Sequence, residues 1–305
     1  MAVTRPFADA VSRFVFERAA VRGALVSLDG ACREIVDQHA YPPALRRALA
    51  ELLGAAALLA STLKFKGTLV VQLQGTGPVR LLVVECDAAL NLRATAQWDG
   101  HADALPADAT LCALAGDPAR SRLAIMLDPK DGGPIYQGIV ALEASSIATL
   151  IEHYLTASEQ IDSRMVLATD ATQRVRGMLL QRMPSAGPDD DDTWQRAVSR
   201  LDIAAAELLA AGGAEALLAA CFHDDDVRVF APRAARFRCG CSSERVANAL
   251  RLLGRSEIEG ILREQGTVGV TCEFCNRRYT FVASEALALF PEPDARSASP
   301  GAARH

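Results

Sequence analysis

The sequence predicts an α+β protein in three parts: a mixed N-terminal domain, a helical connector and a small C-terminal cysteine module. Three observations carry this. Strand-like alternation around Gly/Pro turns is interspersed with helical stripes up to residue 183. A Pro/Gly segment followed by four aspartates, 184–192, then interrupts the pattern. Finally, two close cysteine pairs bracket residues 242–271. Helices set among hairpins predict α+β rather than a doubly wound sheet.

In chain order, Ala24–Asp29 reads as a short apolar strand ending at the Asp29-Gly30 turn. A helix is predicted from Pro43 to Leu63, because Leu45, Leu49, Leu52, Ala56, Leu59 and Leu63 keep helical spacing. Proline suits its first turn. Thr68–Gln74 and Val79–Glu85 flank Gly75-Thr76-Gly77-Pro78 and read as a hairpin. Leu90, Leu92, Ala94, Ala96 and Trp98 alternate with other residues, so one face of that strand is buried. Leu123–Leu127 and Ile135–Leu142 form a second hairpin around Asp131-Gly132-Gly133-Pro134. Ile147, Leu150, Ile151, Tyr154 and Leu155 make a helical stripe behind Ser145 and Ser146 as caps. Strands near Arg164–Ala168 and Val175–Leu180 close a core domain over 1–183.

The connector is placed at 184–231. Its aspartates suit a helix N-terminus, where the backbone dipole favours negative charge. Trp194, Val198, Leu201, Ala205 and Leu208 lie on one face, Gly212-Gly213 breaks the helix, and Ala214–Cys221 resumes it. A stripe this narrow needs a partner surface to stay helical. The cysteine module spans 232–290. It holds two short helices, about Ser242–Leu253 and Ser256–Gln265, and a small hairpin of Val268–Thr271 with Arg278–Val282. The tail 291–305 is rich in proline, serine and alanine and is expected to be disordered.

Several function classes are disfavoured. The net charge of -5 argues against bulk nucleic-acid binding by the whole chain. Eight cysteines in 305 residues are too few for a disulfide scaffold and fit a reducing cytosol. Asp9 and Glu17 interrupt any export signal, and Glu207, Glu215 and the glycine pair interrupt the most apolar stretch, Ile203–Cys221. A cytoplasmic, membrane-free protein is expected. His39, His101, His153, His223 and His305 do not cluster, and Gly75-Thr76-Gly77 lacks the rest of a dinucleotide loop. No catalytic constellation is evident, so the chain is not expected to be an enzyme.

Cys239-x-Cys241 and Cys272-x-x-Cys275 form a four-thiolate set suited to one tetrahedral Zn²⁺. One reading is a purely structural zinc, since so small a module leans on a metal. Alternatively, each pair can close as a disulfide, which would remove the ligands and unfold the module. Arg236, Arg238, Arg277 and Arg278 would favour thiolates. The residues alone do not choose between these readings. Nine arginines against six glutamates in 232–290 also keep a nucleic-acid-binding zinc ribbon open. An enzyme with a structural zinc tail is a third reading. Phe237, Phe274, Tyr279, Phe281 and Phe290 read as core around the metal, and Cys32, Cys86, Cys112 and Cys221 as small apolar residues.

The run Phe237-Arg238-Cys239-Gly240-Cys241-Ser242, with Glu244-Arg245-Val246, Leu253-Gly254, Cys272-Glu273-Phe274-Cys275-Asn276 and Tyr279, resembles the redox-regulated heat-shock protein 33 chaperones, the 33 kDa chaperonin family. Arg22-Gly23, Leu63-Lys64-Phe65-Lys66-Gly67, Gln74–Pro78, Tyr136-Gln137-Gly138 and Ser158-Glu159-Gln160 extend the resemblance, and Phe222-His223 with Asp226-Val227-Arg228 carries it through the connector's end. It covers about 10–290. The resemblance implies an ATP-independent holdase that is inactive when reduced and zinc-bound. It implies that oxidation forms the Cys239–Cys241 and Cys272–Cys275 disulfides, expels zinc and unfolds the connector. It implies unfolded client proteins as partners and a homodimer in the oxidised form.

Overall fold

The computed structural model describes residues 9–184, 189–204 and 214–290. Ala205, Leu208 and Gly212-Gly213 of the expected connector, residues 185–188 of the expected boundary and the tail 291–305 lie outside them. The chain divides into two compact units, Met1–Cys239 and Gly240–His305.

The first unit is built on two sheets and a central helix. Its elements begin with β1 (Ala10–Phe16), β2 (Val21–Leu28), α1 (Gly30–Val36) and α2 (Pro43–Thr62). β3 (Thr68–Gln74), β4 (Val79–Asp87) and β5 (Asn91–Trp98) follow, then a 3₁₀ turn at Gly100–Ala104 and α3 (Leu111–Ala115). β6 (Arg122–Asp128), β7 (Tyr136–Ala141), α4 (Ile147–Glu159), β8 (Ser163–Thr169) and β9 (Val175–Arg182) complete the expected core. The connector supplies α5 (Asp189–Ala204) and α6 (Ala214–Phe222). Three short strands come next: β10 (Val227–Val229), β11 (Arg233–Ala234) and β12 (Arg236–Phe237).

One sheet has the order β10-β1-β2-β9-β8, with β11 also on β1. The other runs β12-β5-β4-β3-β6-β7. The two expected hairpins are β3–β4 and β6–β7, with Val71 opposite Val84 and Ile125 opposite Gly138. At the β3–β4 turn, Thr76 and Gly77 N–H donate to Ala115 O at 2.7 and 2.8 Å. A Cβ on Gly77 would come within 2.5 Å of Gly116 N, so this glycine serves close backbone packing.

Helix α2 departs from the amphipathic expectation. Its leucine stripe is buried, but so are Ala50, Ala55, Ala57 and Ala60 on its other faces. It packs on strands of both sheets. From Leu52 to Ala60 the helix is apolar all round, as suits a segment held between layers. Its small residues permit the approach: a Cβ on Gly54 would lie 2.9 Å from Val175 Cγ2.

The first sheet is buried on both faces. Val26, Leu28 and Leu179 join the central core, whereas Phe14, Phe16, Leu25 and Met178 face the connector. That two-sided burial explains why β2 reads as a continuous apolar run. Trp194, Ala197 and Leu201 of α5, with Leu217, Leu218, Cys221 and Phe222 of α6, cover the second face. The expected stripe therefore has its partner surface.

Helix α4 starts as expected, with Ser146 Oγ accepting from Thr149 N–H at 3.2 Å. Residues 227–237, read from sequence as the connector's end and the start of the cysteine module, return instead as edge strands of the first unit. Phe237 packs against the central core and not around the cysteines, because β12 pairs parallel to β5 with Phe237 opposite Leu92.

Cys32 and Cys86 are fully buried, and burial pushes both thiols up to about 12. The unfolded thiols ionise near 9.0, so above that pH the unfolded chain sheds protons that the folded chain keeps. Stability should fall as pH rises from about 9 to about 12. Iodoacetamide at pH 8 should spare Cys32 and Cys86 in the native protein while labelling the half-exposed Cys112. Equal labelling of all three would show an open core.

The second unit contains α7 (Ser243–Leu253), α8 (Arg255–Gln265), β13 (Thr267–Thr271), β14 (Arg278–Val282) and α9 (Ala283–Ala288). Ser242 caps α7 by accepting from Arg245 N–H at 3.2 Å. Gly254, with φ +90°, turns the chain into α8. Its core is small: Ala247, Leu250, Ile258, Val268, Phe281 and Ala286.

Candidate metal centre

The four predicted ligands come together. The Sγ atoms of Cys239, Cys241, Cys272 and Cys275 all lie within 4.8 Å of one another, and each residue is half-buried. Local structure explains each position. Cys239 follows β12, where Arg238 N–H donates to Leu92 O at 3.0 Å and Phe237 is locked to β5. Cys241 precedes the Ser242 cap of α7. Cys272 and Cys275 sit in the β13–β14 turn. There Asn276 N–H donates to Cys272 O at 2.8 Å and Cys272 N–H to Arg277 O at 2.9 Å. Asn276 takes the left-handed conformation, φ 52°, which asparagine tolerates better than most residues.

The donors fit a metal that prefers soft ligands and four-fold coordination. Sulfurs about 2.3 Å from a tetrahedral ion stand roughly 3.8 Å apart, inside the observed spread. Cys241 Sγ and Cys275 Sγ are 3.3 Å apart, so members of different pairs are as close as this geometry requires.

Polar groups surround the sulfurs, and two of them, Tyr279 Oη and Arg93, take roles that sequence reasoning did not identify. Tyr279 Oη donates to Cys241 Sγ at 3.0 Å. That hydrogen bond pushes the Tyr279 hydroxyl pKa up, keeping the proton available for donation. Arg277 is held above its usual range by its hydrogen bond to Tyr279 and by the charges of Tyr279, Cys241 and Cys275. Within the first unit, Arg93 pairs with Glu85 through Nε and Nη2 at 2.8 and 2.6 Å and also hydrogen-bonds Cys239. Burial alone would lower the Arg93 pKa, but Glu85 and Cys239 more than offset this. The sequence gives Tyr279 a packing role only, because its hydroxyl partner lies far away along the chain. Of the arginines expected to favour thiolates, Arg277 does stand by the sulfurs, whereas Arg236 Nε donates to Asn91 Oδ1 at 2.8 Å.

The remaining sequence candidates stay apart from this centre. Cys32, Cys86 and Cys221 are buried in apolar clusters. His101, His153 and His223 are exposed. No described helix is long and apolar enough to cross a membrane.

Comparison with known proteins agrees with this geometry. The Hsp33 protein family profile matches residues 9–282. The 33 kDa chaperonin of Methylobacillus flagellatus is 45% identical over 285 residues, covering 92% of this chain and 94% of that protein. The Chromobacterium violaceum 33 kDa chaperonin is 43% identical over 283 residues, covering 92% and 94%. The crystal structure of the Thermotoga maritima 33 kDa chaperonin (heat shock protein 33 homolog) superposes with a TM-score of 0.77 at 21% identity, covering 92% of this chain and 97% of that one. The fold is thus shared, and on the full-length identity to its relatives this chain belongs to the Hsp33 chaperone family.

Proposed function

We propose that this chain is a redox-regulated, ATP-independent holdase of the cytoplasm, silent when reduced and active when oxidised. The convergence of four thiols within 4.8 Å of one another, in a chain of this family, carries the reading. A bound zinc ion would supply four metal–thiolate bonds that staple the module and keep its cysteines deprotonated. Cys239, Cys241, Cys272 and Cys275 are the proposed ligands.

The proposed switch belongs to these side chains. One thiolate of a pair attacks a peroxide oxygen and becomes a sulfenic acid, releasing the other oxygen as water once protonated. Its neighbour then displaces a second water and forms the disulfide, so two thiols lose two electrons and peroxide gains them. The proposed pairs are Cys239–Cys241 and Cys272–Cys275, which close the shortest loops. Oxidised sulfurs no longer serve as thiolate ligands, and the small core around Ile258 and Phe281 must then hold without its staple.

The functional division proposed is a core over 1–183, a linker over 184–231 and a redox-switch module over 232–290. The linker's docking on the first sheet supports this: Trp194 and Leu201 cover Phe14, Phe16 and Leu180. Undocking would expose both faces to unfolded clients. The oxidised form is proposed to be a homodimer, acting without nucleic acid, membrane or enzymatic turnover.

The test is light scattering from a thermally unfolding protein with no ATP present. Peroxide-treated protein should suppress scattering at near-equimolar ratio, and reduced, zinc-loaded protein should not. Peptide mapping of the active sample should recover the two short-range disulfides. Suppression that does not depend on oxidation would remove the switch. A dominant Cys241–Cys275 bridge, which the 3.3 Å approach permits, would replace the pairing.

A further inference from the structure

A strand at the end of a sheet offers unpaired N–H and C=O groups to whatever lies beside it. β7 is such a strand: among the described residues it bonds only β6 and ends its sheet. Edges are usually blunted by charge, proline or brevity. The opposite edge, β12, spans two residues. β7 has none of these protections, since Ile135-Tyr136-Gln137-Gly138-Ile139-Val140-Ala141-Leu142 contains no charge and no proline. Its apolar groups are on display, with Ile135 62%, Tyr136 45% and Ile139 55% exposed.

A cavity of about 240 Å³ adjoins this strand, lined in part by Leu63, Ile125, Leu127, Leu155, Tyr136 and Glu159. The register sets Tyr136 opposite Leu127 and Gly138 opposite Ile125, on one face of the sheet. Tyr136 and Tyr154 both donate to Glu159 Oε1, at 3.1 and 2.9 Å, which fixes the wall of the cavity. Gly138 makes room for the Tyr154 ring: a Cβ there would come within 2.2 Å of Cε2. A bare edge beside an apolar pocket is the arrangement by which strand addition gains affinity from the backbone and selectivity from alternate side chains.

We propose that the β7 edge and this cavity bind an extended, uncharged segment of unfolded polypeptide as an added strand. The proposal rests on the chaperone reading and deepens it by naming a client-binding surface. Unpaired backbone groups call for an extended backbone as occupant. A charge-free row of Ile135, Tyr136 and Ile139 gives a polyanion nothing to pair with. The cavity takes one aliphatic or aromatic side chain of the added strand. The edge does not involve the cysteines, so a short peptide occupies it in either redox state; holding a whole unfolded client also needs the connector face, which the proposed switch exposes only on oxidation.

The probe is a fluorescein-labelled heptapeptide of alternating threonine and valine with a central phenylalanine, titrated into the full-length protein. Fluorescence anisotropy should show binding in both redox states. Ile139→Lys, and Ile135→Lys with Ile139→Lys, should weaken it about ten-fold or more, because the added charge blunts the edge. Val282→Lys, an exposed apolar position outside the edge, should not. Bound peptide should slow amide exchange across 136–141, a readout that an unfolded variant could not mimic. Unchanged affinity in the variants, or protection elsewhere, overturns the proposal. A variant that alters sedimentation but not peptide affinity assigns the edge to a second copy of this chain and overturns it as well. If oxidised wild-type protein fails to suppress aggregation while 136–141 is still protected by peptide, the chaperone reading falls and the edge site stands. The reverse result removes only the edge site.

Discussion

On the proposed reading of one zinc per chain, serine at any one of Cys239, Cys241, Cys272 or Cys275 is expected to reduce zinc content to well below stoichiometry and to melt the second unit. The argument is one of scale. Among its described residues the unit has six buried apolar side chains in its core, two of them alanine. A structural four-thiolate zinc contributes an apparent ~10 kcal/mol or more of folding free energy in small modules. Without it, α7, α8 and the β13–β14 hairpin should lose cooperative protection, while the first unit keeps its melting transition. Tyr279→Phe removes only the Oη–Cys241 Sγ hydrogen bond. It should keep the fold and weaken metal affinity by roughly ten-fold, the usual cost of losing an outer partner of a ligand. Metal analysis and competition with a chromogenic chelator measure both effects. If the quadruple serine variant retained stoichiometric zinc, the ligand assignment would be wrong.

What could be read in the sequence follows from which signals are local. The four-cysteine cluster was legible because thiol chemistry and short spacing are properties of the string itself. Helix α4 and the hairpins β3–β4 and β6–β7 were legible because periodicity and turn residues are also local. The strands β10, β11 and β12 were not. They span two or three residues, too few to show a period, and exist only because β1 and β5 offer edges to them. β1 was missed for a related reason: Val11, Ser12, Phe14 and Phe16 are all buried, so its pattern does not alternate cleanly. The Tyr279–Cys241 and Arg93–Cys239 contacts join residues whose proximity only the tertiary fold creates.

Under the proposed switch, substituting Leu201 should have the second large effect, giving chaperone activity without oxidant. Leu201 is fully buried, and with Trp194 and Ala197 it forms the face that α5 sets against β1, β2, β9 and α6. Helices of this length are marginal alone in water, so the docked face must hold the connector in place. The exposed ion pairs around it add little by comparison. Arg164–Asp202 at 2.7 Å and Arg200–Asp224 at 2.7 Å each involve a substantially exposed carboxylate, and such pairs contribute about 0–1 kcal/mol. Leu201→Ala should cost about 2–5 kcal/mol of docking, and Leu201→Asp more, because a carboxylate cannot be buried there without a partner. Reduced, zinc-loaded Leu201→Asp should therefore expose Phe14, Phe16 and Leu180 and suppress aggregation nearly as well as oxidised wild type. Hydrogen exchange provides the control. Amides in 189–204 and 214–222 should lose protection in this variant, and in wild type on peroxide treatment, while Thr68–Gln74 and Val79–Asp87 stay protected. A variant with an undocked connector and no activity, or oxidised wild type that is active with the connector still protected, would separate undocking from chaperone action and remove the connector from the mechanism.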